Sequence, residues 1–110
     1  MRASDRSRLL KEVLPIFAQE IEELLKHNET KLAAQVASLT IVDRCRCGED
    51  FCAAFYVEPK PQGAYGPGHR NVSLEPENGM IILDVVNDRI MQVEVLYRDE
   101  VRRAIQAAVS

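Results

Sequence analysis

The segment MIILDVVNDRIMQVEVLY, residues 80–97, decides the fold because apolar residues recur in it at every second position. This alternation predicts two β-strands, 80–86 and 89–97, joined around Asn87 and Asp88. A link this short favours an antiparallel hairpin. A wholly apolar face forms if Ile81, Leu83 and Val85 lie opposite Val95, Val93 and Met91. That register requires a three-residue loop, and a tight two-residue turn is the alternative.

Helices are predicted on both sides of the strand region. Apolar residues recur at spacings of three and four near the amino terminus, which is typical of one face of a helix capped by Ser4 or Asp5. These residues are Leu10, Leu14, Phe17, Ile21 and Leu24. Pro15 interrupts the pattern, so the segment is either one kinked helix or two consecutive helices. RDEVRRAIQAAV, residues 98–109, predicts a closing helix with acidic residues in its first turn.

Two further strands are predicted upstream, in LTIVDRC (39–45) and FCAAFYVE (51–58). Matching of apolar faces pairs Leu39 with Val57 and Ile41 with Phe55. The following stretch, PKPQGAYGPGHR (59–70), contains three prolines and three glycines and predicts an irregular loop. A loop of this length inside a small domain often carries function.

The predicted fold is a single α+β domain over residues 1–110. It comprises a helical segment (1–38), an antiparallel sheet of about four strands (39–97) and a C-terminal helix (98–110) packed on the sheet. The long loop 59–70 lies within the sheet region.

Charge and composition exclude several classes of protein. A net charge of −3 argues against a dedicated nucleic-acid-binding protein, which usually has a basic excess. The sequence has no apolar run long enough to span a membrane, and its first residues lack the apolar core of a signal peptide. We therefore expect a cytoplasmic protein whose three cysteines are free thiols.

The segment CRCGEDFC, residues 45–52, contains all three cysteines and suggests a metal site. Cys45, Cys47 and Cys52, with His69 as a fourth ligand, would form the Cys3His set that suits tetrahedral zinc. The apolar register opposes this hypothesis, because it directs Cys52 to the sheet face opposite Cys45 and Cys47. In that interpretation the segment is mainly the end of a hairpin.

Other chemistries have less support in the spacing of the residues. The chain has no C-x-x-C pair for redox catalysis, and a Cys45–Cys52 disulfide needs the less favoured register. An enzyme could use Cys52 as nucleophile, His69 as base and Asp84 or Glu77 as the orienting carboxylate, but no motif selects this set. The glycine-rich GAYGPGH (63–69) could approach a phosphate, although it does not match a P-loop. The sequence therefore favours a non-enzymatic protein over an enzyme.

The segments CRCGEDFCAAFY and GMIILDVVNDRIMQVEVLYRDEVRRAI resemble small bacterial α+β proteins of unassigned function. Some members of that kind with a CxCG motif are similar to immunity proteins of bacterial toxin systems. The resemblance implies a bacterial cytoplasmic protein and adds some support to a protein-interaction role, and it assigns no site residues.

The leading hypothesis is a non-enzymatic protein-interaction module, immunity-like by the resemblance, that binds a protein partner or a second copy of itself. Its expected contact surface is the hairpin tip 45–52 and the loop 59–70, with Lys60, Tyr65, His69 and Arg70 as interacting side chains. The alternatives are a zinc-binding module that uses the three cysteines and His69, and a small enzyme with a Cys/His site.

Overall fold

A computed structural model describes residues 8–109, so the predicted cap at Ser4 or Asp5 lies outside the described residues. The helices are α1 (Leu10–Val13), α2 (Pro15–Leu25), α3 (Thr30–Ala33) and α4 (Asp99–Ala108), with a 3-10 turn at Val36–Ser38. The strands are β1 (Arg8–Leu9), β2 (Thr40–Ile41), β3 (Asp43–Arg44), β4 (Phe55–Tyr56), β5 (His69–Leu74), β6 (Met80–Val86) and β7 (Arg89–Leu96).

The main sheet is antiparallel and has five strands in the order β3-β4-β7-β6-β5. A separate two-stranded ribbon joins β1 to β2. The α+β class predicted from the sequence is thus confirmed, with one more strand in the main sheet than expected and an additional ribbon.

One face of the main sheet packs against the helices and forms the core. Its central side chains, including Phe55, Leu83 and Val93, are fully buried. Phe17 of α2 meets Phe55 edge to face, with ring centroids 6.4 Å apart. Two residues of α4, Val101 and Ile105, join the same core. We call the opposite side of the sheet the outer face.

Pro15 separates two helices rather than bending one. Leu14, with φ −136° and ψ 71°, lies between α1 and α2 and is not helical, and Pro15 is the first residue of α2. This is the position where a proline is best tolerated, because the first turn of a helix leaves its backbone N–H groups without intrahelical acceptors. The two-helix alternative is therefore the correct one.

The hairpin of β6 and β7 follows the predicted register over most of its length. Ile81 pairs with Val95 and Leu83 with Val93, as expected. Beyond Asp84 the register shifts by one residue, and the strands meet at a two-residue turn of Asn87 and Asp88, both at positive φ. The predicted three-residue loop is therefore wrong. A β-bulge reconciles the apolar register with the tight turn, because it adds one residue to a single strand.

The predicted register of the first hairpin is also wrong. Phe55 pairs with Arg44 instead of Ile41, which is a shift of three residues. Ile41 pairs instead with Arg8, and Leu10 N–H donates to Leu39 O at 2.8 Å. The side chains of Leu39 and Ile41 are buried in the core together with Leu10 and the apolar residues of α2. Their burial therefore does not depend on apolar partners on β4.

The long loop is shorter than predicted, because β5 already begins at His69. We therefore use the name outer loop for residues 59–68. His69 and Arg70, which were assigned to the loop, are strand residues.

Candidate metal centre

The sulfur atoms of Cys45, Cys47 and Cys52 all lie within 4.8 Å of one another. Cys47 is exposed, and the other two cysteines are half-buried. Within residues 8–109 no other group of three His, Cys, Asp or Glu side chains is this closely spaced. The predicted separation of the cysteines onto two faces is therefore wrong.

The strand register explains why the three thiols converge. Arg44 lies opposite Phe55, and Cys45 N–H then donates to Ala54 O at 2.9 Å. The same register, continued towards the hairpin tip, places Cys47 opposite Cys52. Residues that face each other across an antiparallel pair point to the same side, so all three thiols lie on the outer face.

The error in the predicted register has a simple consequence. A shift by an odd number of residues moves every side chain of one strand to the other face relative to its partner. The observed shift of three residues therefore returns Cys45 and Cys47 to the face of Cys52. The turn itself is closed by Cys52 N–H, which donates to Glu49 O at 3.2 Å, and Gly48 adopts the φ of +82° that glycine tolerates.

The thiols differ in their readiness to lose a proton. The backbone N–H of Glu49 lowers the pKa of Cys47, and hydrogen bonds with the thiols of Cys52 and Cys45 lower it further. Burial raises the pKa of Cys52 to about 11, and the two neighbouring thiols contribute to the rise. Cys47 is thus better prepared than Cys52 to become a thiolate, the form that binds metal ions. A bound cation would favour deprotonation of the other two.

His69 lies at the other edge of the sheet. Its Nε2 is 2.8 Å from Oδ1 of Asp84, and it belongs to β5. Four strand spacings of about 4.8 Å, roughly 19 Å in all, separate β5 from β3. The structure therefore brings the three cysteines together without His69. His69 is also distant from Cys52: Cys52 forms a bridge with Leu96 at one end of β7, whereas His69 lies in line with Arg89 at the other end. The suggested Cys/His catalytic pair is therefore not assembled, whereas the His69–Asp84 contact is.

The proposed interaction residues of the loop are folded back onto the sheet or a neighbouring helix end. The amino group of Lys60 lies 5.9 Å from the centre of the Tyr56 ring. Tyr65 donates its hydroxyl hydrogen to Gln92 Oε1 at 2.9 Å. Arg70 makes a two-fold hydrogen bond with the carboxylate of Glu29, at 3.0 Å for each oxygen. The outer loop thus covers part of the outer face.

An exposed aromatic pair lies beside the cysteines and was not found from the sequence. Phe51 and Tyr97 stack with ring centroids 5.4 Å apart, and they are 41% and 63% exposed. Tyr97 has φ +62°, an uncommon conformation for a bulky residue. Its N–H donates to Phe51 O at 2.9 Å, and Cys52 forms a bridge with the adjacent Leu96. The pair borders a shallow cavity of about 300 Å³.

Comparisons with protein families, curated proteins and solved structures found no match for this chain. The resemblance to immunity-like bacterial proteins therefore stays a prediction. None of the helices within residues 8–109 is long and apolar enough to cross a membrane.

Proposed function

We propose that this protein is a metal-binding module that holds one thiophilic cation, zinc in the first instance, through Cys45, Cys47 and Cys52. The observation that carries the proposal is the convergence of the three sulfur atoms within 4.8 Å. Thiolates are the ligands preferred by zinc, Cu(I) and iron–sulfur clusters. Zn–S bonds of about 2.3 Å in tetrahedral geometry place neighbouring sulfurs about 3.8 Å apart, so the hairpin needs to contract by 1 Å or less.

The site supports an exchangeable metal rather than a purely structural one. A structural zinc site is closed by four protein ligands, whereas within residues 8–109 three thiols converge and leave a fourth position to water or to a ligand from a partner. The thiols also lie on the outer face, away from the helix-covered core, and Cys47 is exposed. We therefore expect the fold to persist without the metal and the metal to exchange with competing chelators.

Metal stoichiometry and affinity test the proposal. Reduced protein titrated with Zn²⁺ against a chromophoric chelator should bind about one ion per chain, and Cys45→Ser, Cys47→Ser and Cys52→Ser should each weaken binding more than about tenfold. Substitution with Co²⁺ should produce sulfur-to-metal charge-transfer absorption in the unmodified protein. His69→Gln is the matched control, because His69 lies on β5 at the other edge of the sheet from the cysteines, and it should bind zinc with unchanged affinity.

Two results would contradict the metal proposal. One is less than about one zinc in ten reduced chains at saturating metal. The other is zinc binding that all three cysteine variants retain, which would place the ion elsewhere in the molecule.

A protein-binding surface at the hairpin tip is the second candidate function, favoured by the exposed stack of Phe51 and Tyr97. Exposed aromatic side chains are enriched among the residues that dominate binding energy at protein interfaces. The test is self-association or partner binding measured by sedimentation and pull-down. Phe51→Ser should abolish the interaction. Ile16→Ser, which removes an exposed apolar side chain from α2, should leave it intact. Equal loss in both variants would reject the assignment.

A further inference from the structure

The outer face carries a second cluster, which contains no thiol and is centred on Asp84. This residue is only 4% exposed, although it lies on the side of the sheet that the helices leave uncovered. Its Oδ1 accepts two hydrogen bonds, from Asn71 Nδ2 at 2.7 Å and from the His69 ring at 2.8 Å. Its Oδ2 is fully buried and meets no donor among the described residues. A buried carboxylate oxygen without a partner is costly.

The group that can satisfy Oδ2 is the carboxyl of Glu94. Glu94 lies opposite Ile82 on β7, diagonally next to Asp84 on the same face, a separation that a side chain as long as glutamate can span. Two ionised carboxylates cannot hydrogen-bond to each other, because neither has a hydrogen to donate. One proton placed between them converts the repulsion into a charge-assisted hydrogen bond. A metal ion is a poorer fit at this position. The ligand atoms of His69, Asp84 and Glu94 do not all lie within 4.8 Å of one another, as those of the three cysteines do.

The cluster is connected to the outer loop. Gln92, the cross-strand partner of Asp84, accepts the hydrogen bond from the Tyr65 hydroxyl. The Tyr65 ring also packs against the His69 ring, with centroids 4.9 Å apart. The two contacts that hold the middle of the loop on the sheet are therefore made with immediate neighbours of Asp84.

We propose that Asp84 and Glu94 bind a single proton between them and that this proton clamps the outer loop, residues 59–68, onto the sheet. When the proton leaves, the buried carboxylate of Asp84 and the half-buried carboxylate of Glu94 repel each other. This repulsion displaces Gln92 and His69, the two residues that Tyr65 contacts. The loop then lifts and uncovers the outer face. A rise in pH thus exposes the surface that the loop covers.

The other groups that face the pair are consistent with this role. The pKa of Glu94 is raised to about 7, first by its hydrogen bond with Asp84 and then by burial. Burial raises the pKa of Tyr65 to about 12, and it also raises the pKa of Tyr56 on β4, so both remain protonated near neutral pH. Asp43 of β3, Cys45 directly after that strand and Lys60 of the loop are neighbours of Tyr56.

Nuclear magnetic resonance of the full chain tests the proposal, with chelator and reductant present so that metal binding plays no part. The Glu94 carboxyl carbon should titrate near pH 7 in the unmodified chain. Loop protection is read from the Tyr65 ring, which holds the loop on the sheet, by its exposure to a soluble paramagnetic probe. The ratio of closed to open loop should fall about tenfold between pH 6 and pH 8, which is the factor by which a proton linked with that pKa changes the closing equilibrium.

Glu94→Gln keeps a hydrogen-bond donor to Asp84 but cannot titrate, so its loop should stay protected at both pH values. Glu77→Gln, which changes an exposed carboxyl in the turn before β6, should behave as the unmodified chain does. The proposal is overturned if Glu94 titrates in the ordinary range of glutamate, if loop protection is equal at pH 6 and pH 8, or if Glu94→Gln retains the pH dependence.

Discussion

Raising the pH from 5.5 to 8 should destabilise the unmodified chain relative to a Glu94→Gln variant. In the folded chain the pKa of Glu94 is raised from 4.5 to about 7, because its carboxyl bonds to Asp84 and is half-buried. A raised pKa means that the folded state holds the proton more tightly than the unfolded state does. The resulting stabilisation is fully present below about pH 4.5 and is lost as the pH rises through about 7.

The magnitude follows from proton linkage. Each unit of difference in pKa corresponds to about 1.36 kcal/mol, so integration from pH 5.5 to 8 gives a loss of about 2 kcal/mol in the free energy of unfolding. Solvent screens the partly exposed Glu94, which reduces the expected loss to about 1 kcal/mol. Hydrogen bonds with Arg70 and Arg98 lower the pKa values of Glu29 and Glu100. Their contributions to the free energy of unfolding are therefore lost only in acid, below the range from pH 5.5 to 8.

Urea denaturation of both chains at a series of pH values measures this effect. The difference in unfolding free energy between Glu94→Gln and the unmodified chain should move by about 1 kcal/mol in favour of the variant between pH 5.5 and 8. Glu77→Gln is the control, because it removes an exposed carboxyl and should show no such shift. A difference for Glu94→Gln that is constant across the pH range would refute the shared-proton reasoning.

Gly79→Ala should lower the free energy of unfolding by about 2 kcal/mol in urea denaturation, because residue 79 has φ +72° and the new methyl group would come within 2.5 Å of a backbone carbonyl oxygen. An unchanged denaturation midpoint would contradict the observed turn. Arg98→Met should cost about 3 kcal/mol, since it leaves the carboxylate of Glu20 without its two-fold hydrogen bond at 2.8 and 3.0 Å; a double-mutant cycle with Glu20→Gln should recover part of that cost. Cys47 should react with a thiol reagent at pH 8 faster than Cys52, because it is exposed and its pKa is lowered. Peptide mapping of the labelled protein checks the order, and faster labelling of Cys52 would contradict it.

Local pattern was sufficient where two strands are joined by a tight turn. In residues 80–97 the alternation of apolar residues specified both strands and the pairs Ile81–Val95 and Leu83–Val93. It did not reveal the bulge beyond Asp84. A bulge allows a tight turn and an apolar register in the same hairpin. The register predicted from the alternation of apolar residues assumed that neither strand contains an extra residue, so it missed the bulge.

The candidate site shows the opposite case. Apolar matching paired Leu39 with Val57 and Ile41 with Phe55, because the two predicted strands are neighbours in the sequence and this register gives an apolar face. In the folded chain Ile41 pairs with Arg8, and Phe55 pairs with Val93 on the far side of β4. With residues 39–41 paired elsewhere, β3 pairs with β4 in the register that sets Arg44 opposite Phe55 and brings the three thiols together.

The sequence by itself determined the α+β class, the two strands of the central hairpin, the interruption of the helical pattern at Pro15 and the presence of three thiols in residues 45–52. These follow from local periodicity and from the fixed stereochemistry of proline, which act over a few neighbouring residues. Only the tertiary structure decided which side chains share a face. It gathered Cys45 and Cys47 with Cys52, held His69 at Asp84, and placed Glu94 where one proton can satisfy two carboxylates. The physical reason is that a shift of one residue along a strand reverses its faces, and the register is set by packing against distant parts of the chain.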